Sequence, residues 1–155
     1  MSKKIWFDCD GTLYDLYSIP NWLDKLRNEE EQVFSTGSFM GDYTEFLKEV
    51  SRLFAAGYEF GVITWLPMGA SPEYEEICRQ EKIKWIKAYL PFVYDINITS
   101  YGIPKQNAIK KRAKQMILID DNSEVCKMWE TNSMRKAINL TDNFDIVAAL
   151  QSIEN

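Results

Sequence analysis

The chain has 155 residues, a formal net charge of -5 and no histidine, and it carries five Trp, eight Tyr and eight Phe. That length and aromatic content fit one folded domain and exclude intrinsic disorder, while the negative balance disfavours non-specific binding to a phosphate backbone, so nucleic acid is not an expected partner. Without imidazole there are no Ser-His or Cys-His nucleophile pairs and no histidine metal sites, which leaves any catalysis to carboxylates, hydroxyls and lysines.

Lys4 to Asp8 is a short apolar run opening into Asp-Cys-Asp-Gly-Thr, the pattern of a buried strand that ends in a loop. Pro20 to about Phe34 carries Trp22, Leu23, Leu26 and Val33 among charges, which predicts an amphipathic helix broken by Ser35 to Gly41. A second helix is predicted over Tyr43–Ala56 from Phe46, Leu47, Val50, Leu53 and Phe54, with Gly57 as its stop. Tyr58–Thr64 reads as a strand. After the turn-rich Pro67–Ser71, a long helix is predicted from Pro72 to about Leu90 with Ile77, Ile83 and Ile86 on one side.

Val93–Thr99 alternates as a strand, Lys105–Lys114 reads as a basic helix or helical turn, and Met116–Asp120 is a short apolar strand ending in Asp120-Asp121-Asn122. Ser123–Trp129 suggests a helix, Lys136–Leu140 a strand, and Asn143–Ser152 a closing helix capped by Asn143 or Asp142. Strands alternating with helices argue for an α/β domain with an open parallel sheet covered on both faces. Its ligand crevice lies at the carboxyl ends of the strands, so Asp8, Asp10, Thr64, Thr99, Asp120 and Asp121 are the residues to watch.

Apolar runs are far shorter than a bilayer span and the first residues lack a signal-peptide pattern, so a cytoplasmic protein without membrane contact is expected. Cys9, Cys78 and Cys126 are odd in number and form no CxxC pair, which predicts reduced thiols rather than a disulfide or a zinc site. Cys9 alternates away from Asp8 and Asp10 and is expected to pack. The Glu29-Glu30-Glu31 run and the basic Lys110, Lys111, Arg112 and Lys114 read as solvated faces.

Asp8-x-Asp10-Gly11-Thr12 places two carboxylates where a strand ends, and Gly11 permits the tight turn that brings both toward one point. Asp120 and Asp121 end another strand in the same way. Four converging acids repel one another unless a hard cation joins them, and magnesium suits oxygen ligands and phosphate. The Thr64 hydroxyl and the Trp65 backbone N–H can donate to phosphoryl oxygens, and Lys105 can add a point charge, with Lys110, Lys111 and Lys114 as alternatives nearby.

In this order the set resembles the haloacid dehalogenase superfamily of phosphohydrolases. Its DxDG[TV] motif stands as Asp8-Cys9-Asp10-Gly11-Thr12, its strand-ending Thr or Ser as Thr64, its Lys as Lys105 in Ile-Pro-Lys, and its final acidic motif as Asp120-Asp121. The resemblance implies a Rossmann-like three-layer α/β/α fold with about five parallel strands. It also implies Asp8 as nucleophile and Mg2+ ligand, and Asp10 as the acid and base that also lends its carbonyl to the metal. Asp120 and Asp121 would complete the metal site, Thr64 and Lys105 would hold the phosphoryl group, and Gly11, Thr12 and Trp65 would border it.

Members of the superfamily differ in inserted caps. Here residues 15–41 leave room for one helix and its loops, a minimal cap on a single domain of residues 1–155. Tyr14, Tyr17, Trp22 and Phe39 are candidates to stack on a planar base, a faint likeness to the 5'-nucleotidase branch, which acts on deoxyribonucleotides; packing is the plainer use of such residues. A small phosphorylated metabolite is thus the expected substrate, with a nucleoside monophosphate first. The alternatives are a phosphoprotein, a nucleic-acid end, or a non-catalytic phosphate-binding relative. A receiver-type module is disfavoured by motif order, and a short cap leaves room for a second copy of the chain to close the site.

Overall fold

The computed structural model describes residues 2–141 and 144–155. Five strands, β1 (Lys3–Phe7), β2 (Tyr58–Trp65), β3 (Asp95–Thr99), β4 (Gln115–Asp120) and β5 (Arg135–Asn139), form one parallel sheet in the order β3-β2-β1-β4-β5. The chain steps outward from β1 to β3, returns to β4 beside β1, and steps outward again to β5. Strand order therefore reverses between β1 and β4, and the crevice of an open parallel sheet lies at the carboxyl ends flanking such a reversal. Phe7 pairs with Val62 on one side and Ile119 on the other, so the residues that follow β1, β2 and β4 emerge together.

Helices cover both faces, as the expected three-layer α/β class requires. One face buries Ile5, Phe7, Val62 and Ile119 under α2 (Tyr43–Ala55), α3 (Pro72–Tyr89) and α5 (Ile146–Gln151). The other buries Trp6, Ile63 and Leu118 under α4 (Ser123–Trp129) and the segment before β4. Alternation along β1 produces this division: residues 5 and 7 point one way, residue 6 the other. Helix starts follow local chemistry, since Asp42, Ser71, Asn122 and Asp145 each accept a backbone N–H of the first turn that follows them. No described helix is long and apolar enough to cross a membrane.

Three expectations change. The helix predicted over Pro20–Phe34 contracts to α1 (Trp22–Arg27), which buries none of its residues. Tertiary partners take over its remainder: Glu29 accepts from the N–H and Oγ of Ser71, both at 2.8 Å, and Glu81 accepts the N–H groups of Gln32 (2.7 Å) and Phe34 (3.1 Å). These bonds hold Glu29 and Gln32 at φ 53° and 71°, outside helical space, and drive Val33 and Phe34 into the core. Glu29 is thus an anchor rather than a merely solvated acid.

The basic segment Lys105–Lys114 keeps only a single 3-10 turn over Lys105–Ala108. Four cations close together in a helix repel, and here Lys110, Lys111, Arg112 and Lys114 stay exposed. On α3 the buried stripe is Tyr74, Cys78, Lys82, Trp85 and Ile86, while Ile77 and Ile83 are only half-buried. The cap suggested at Asn143 or Asp142 lies outside the described residues, and α5 starts from Asp145, whose carboxylate accepts the Ala148 N–H at 2.9 Å.

Candidate active site

The loop after β1 is wound tightly, with the Cys9 carbonyl accepting from the N–H groups of Thr12, Leu13 and Tyr14 at 3.1, 2.9 and 2.9 Å. Asp8 continues the sheet for one more bond, donating its N–H to the Ile119 carbonyl at 3.0 Å, so its carboxylate projects beside the end of β4. Gly11 has φ +79°, and a Cβ there would overlap the Asp121 carboxylate and the Tyr17 ring. Only glycine allows the first acidic motif to lie this close to the last. Gly11→Ala is expected to lose about 1–2 kcal/mol to the left-handed backbone alone, and to push Asp121 aside. Thermal denaturation should then show both a lower Tm and a weaker response to divalent cation than wild type.

Both oxygens of Asp8 are held. Thr12 Oγ1 donates to Oδ2 at 3.1 Å, and Lys105 Nζ donates to Oδ1 at 2.7 Å and to Asp120 Oδ2 at 2.6 Å. Thr12, expected at the border of the phosphoryl group, therefore spends its hydroxyl on aiming Asp8. Lys105 is 3% exposed, and the 3-10 turn plants its ammonium between the two carboxylates, with the Trp65 ring 5.5 Å away. Of the four lysines weighed for this position, Lys105 alone is buried. Burial depresses its pKa, but Asp8 and Asp120 outweigh that and leave it above the usual lysine range.

Asp8, Asp120 and Asp121 each offer a carboxylate oxygen, all within 4.8 Å of one another. Burial first, then the Asp8 charge, lifts the carboxyl of Asp120 to about 6 and that of Asp121 to about 8. One ammonium does not neutralise three carboxylates, and an all-oxygen donor set suits a hard divalent cation, so these residues fit a metal ion.

The raised values set a pH dependence. Between the ordinary carboxyl pKa and the raised values, the folded metal-free chain binds more protons than the unfolded one, so its stability falls as pH rises and levels off above about 8. A divalent cation replaces those protons. Its stabilising effect is therefore expected to grow across the same window, read as the difference in Tm between magnesium and chelator from about pH 5 to about pH 9. An increment that stays flat across the range would contradict the assignment.

The acids share their crevice with Asp10, Thr64 and Lys105, which line one pocket of about 340 Å³. Aromatic residues also line it: Tyr17 and Trp22, in edge contact, come from residues 15–41, and Trp65, the last residue of β2, is in edge contact with Tyr101. No protein-family model matches the sequence, and neither does any curated protein sequence. Among solved structures the chain is similar to D,D-heptose 1,7-bisphosphate phosphatase from Burkholderia thailandensis, with a TM-score of 0.53 over 97% of each chain at 12% identity. The chain has the haloacid dehalogenase fold.

Within that fold, two of the four aromatic residues expected near a base lie elsewhere. Tyr14 is 1% exposed, donates its hydroxyl to the Val33 carbonyl and meets Trp85 edge-on, and Phe39 packs among Tyr43, Phe46 and Tyr89. Tyr17 and Trp22 remain at the pocket. Cys9 is buried in the core, where burial holds its thiol far above the usual cysteine range, as packing rather than thiolate chemistry requires.

Sequence reasoning missed Lys82. From the middle of α3 its Nζ donates to Asp10 Oδ2 at 2.8 Å and to Thr64 Oγ1 at 3.1 Å. The signal was present, because a lysine at 82 interrupts a stripe that otherwise runs through Tyr74, Cys78, Trp85 and Ile86. Asp10 itself is pushed upward by burial, with Lys82 opposing, which keeps a protonated form accessible.

Proposed function

We propose that the chain is a magnesium-dependent phosphomonoester hydrolase that forms an aspartyl phosphate on Asp8. The observation that carries the proposal is the buried Lys105 ammonium bridging Asp8 and Asp120 in the lining of a pocket that also holds Asp10 and Thr64. Asp8, Asp120 and Asp121, with the Asp10 carbonyl, would hold Mg2+, which would supply positive charge to the phosphoryl oxygens.

The protein's own residues do the rest. Thr12 and Lys105 fix the Asp8 carboxylate so that one oxygen is presented along a single line of attack. Lys105 and Thr64 counter the charge on the phosphoryl oxygens. Asp10 gives a proton to the leaving oxygen, then takes one from the water that cleaves the aspartyl phosphate.

A small phosphorylated metabolite fits a pocket of this volume. A nucleoside monophosphate is the first candidate, since Tyr17, Trp22, Trp65 and Tyr101 line the same pocket as the acids. The test is magnesium-dependent phosphate release from a panel of sugar, nucleoside and aryl monophosphates. Turnover of a nucleoside monophosphate above the sugar phosphates, abolished by chelator, supports the reading; no release from any compound refutes it.

A further inference from the structure

At the far side of the sheet from β5, β3 has β2 as its one neighbour. The Thr99 carbonyl accepts the Leu66 N–H at 2.8 Å, so residues 95, 97 and 99 turn their backbone groups toward β2, and Ile96 and Ile98 turn theirs outward. Arg79 confirms this direction, its Nη1 donating to the Ile98 carbonyl at 2.5 Å. The Ile98 N–H and both backbone groups of Ile96 have no hydrogen-bond partner among the described residues.

β3 lines a groove of about 600 Å³, shared with Arg79, Ile83 and Lys87 from α3 and with Ala108 and Lys110 from the segment on the opposite face of the sheet. Its lining carries three cations and no acid, in a chain whose net charge is -5. Arg79 meets Glu76 at 3.5 Å, whereas Lys87 and Lys110 form no ion pair among the described residues. Tyr94, also in the lining, is 93% exposed.

We propose that this edge docks an acidic, extended segment of a partner protein, which adds to the sheet as a sixth strand beside β3. The added strand donates to the Ile96 carbonyl and accepts from the Ile96 and Ile98 N–H groups, which gives it affinity without regard to sequence. Charge gives the selectivity. Arg79 and Lys87 are eight residues apart on one helix stripe, about 12 Å, and strand residues four apart span about 13 Å. Two acids at that spacing therefore meet both cations, and an apolar residue midway between them meets Ile83.

A second copy of the chain would set these three cations against the same three of its mate. A nucleic-acid strand would find one aromatic residue, Tyr94, among the described lining residues, and so no stacking platform. The inference goes beyond the phosphatase reading and involves none of its residues, so each can fail alone.

The probe is the blocked peptide Thr-Glu-Thr-Val-Thr-Glu-Thr, with both Glu replaced by Lys as its control. Amide hydrogen exchange of the whole chain is followed by NMR. At about ten times its Kd, the acidic peptide should slow exchange of the Ile96 and Ile98 amides about tenfold, and the basic one should not. Ile96→Pro removes an N–H that β2 does not use, and should abolish binding with little change in Tm. Lys87→Glu combined with Lys110→Glu alters two exposed side chains, should weaken binding about tenfold, and carries the test if Ile96→Pro does not fold. No protection from millimolar acidic peptide, or binding indifferent to the charge reversal, overturns the proposal. The same amides protected instead by a single-stranded oligothymidine, or by raising protein concentration alone, overturn it in favour of nucleic acid or of a second copy.

Discussion

Asp8→Asn is expected to lower turnover of every monophosphate the wild type accepts by on the order of 10⁴-fold or more, with little change in Tm. An amide oxygen cannot attack phosphorus as a carboxylate does. The fold should tolerate the change, since the substituted amide can still offer its oxygen to Lys105 Nζ and its NH2 to Thr12 Oγ1. Losing one negative charge also relaxes Asp120 and Asp121, whose carboxyls are raised by burial and then by Asp8. Parallel measurements of phosphate release and thermal denaturation check both halves. A variant that kept a tenth of wild-type activity would exclude Asp8 as the nucleophile. A phosphorylated Asp8 in wild type that outlives many turnovers would instead favour a receiver-like module.

Lys105→Met should act first on stability. Its ammonium is the common partner of Asp8 and Asp120, all three buried. Removing one partner from a buried ionic cluster typically loses about 3–5 kcal/mol. The loss is expected to be largest near neutral pH without cation, and to shrink in acid, where the carboxyls take up protons that replace the missing charge. Divalent cation should recover part of it, because a bound ion supplies positive charge at the same place. Denaturant titration at two pH values, with and without magnesium, measures this. Equal destabilisation under all four conditions would mean that Lys105 acts by packing alone.

Much of this fold was legible because period and punctuation agreed. Each of the five strands ran within a residue or two of its apolar pattern, and Gly57 and Pro72 marked helix boundaries where they occur. Where expectation and structure part, a distant residue intervened. The Pro20–Phe34 helix failed because Glu81 and Ser71 offer its backbone and Glu29 better partners than a helix without a buried face can. Neither partner is near in sequence, so no local pattern announces them.

The site divides similarly. Asp8, Asp10, Asp120 and Asp121 were readable because each ends or follows a buried strand, and the sheet converts strand ends into neighbours. Thr64 followed from the same rule. Lys105 among four lysines was not decidable from spacing, because only the tertiary structure determines which one is buried. Lys82 was hidden because helical periodicity marks such a position as core, and a charged residue there reads as an irregularity until its carboxylate partner is seen across 72 residues of chain.

The pairing of β1 with β4 has a bearing on how the molecule comes into being. Lys105 meets Asp8 across 97 residues of chain, and the Asp120 that completes the bridge comes later still. During synthesis the first acidic loop must wait, with its partner strand unmade, until Lys105 and Asp120 have left the ribosome. Joining such distant segments is the slow part of folding. A truncated or stalled product therefore lacks the second half of the crevice and can neither gather the cation nor align the reacting atoms, so competence arrives late and all at once.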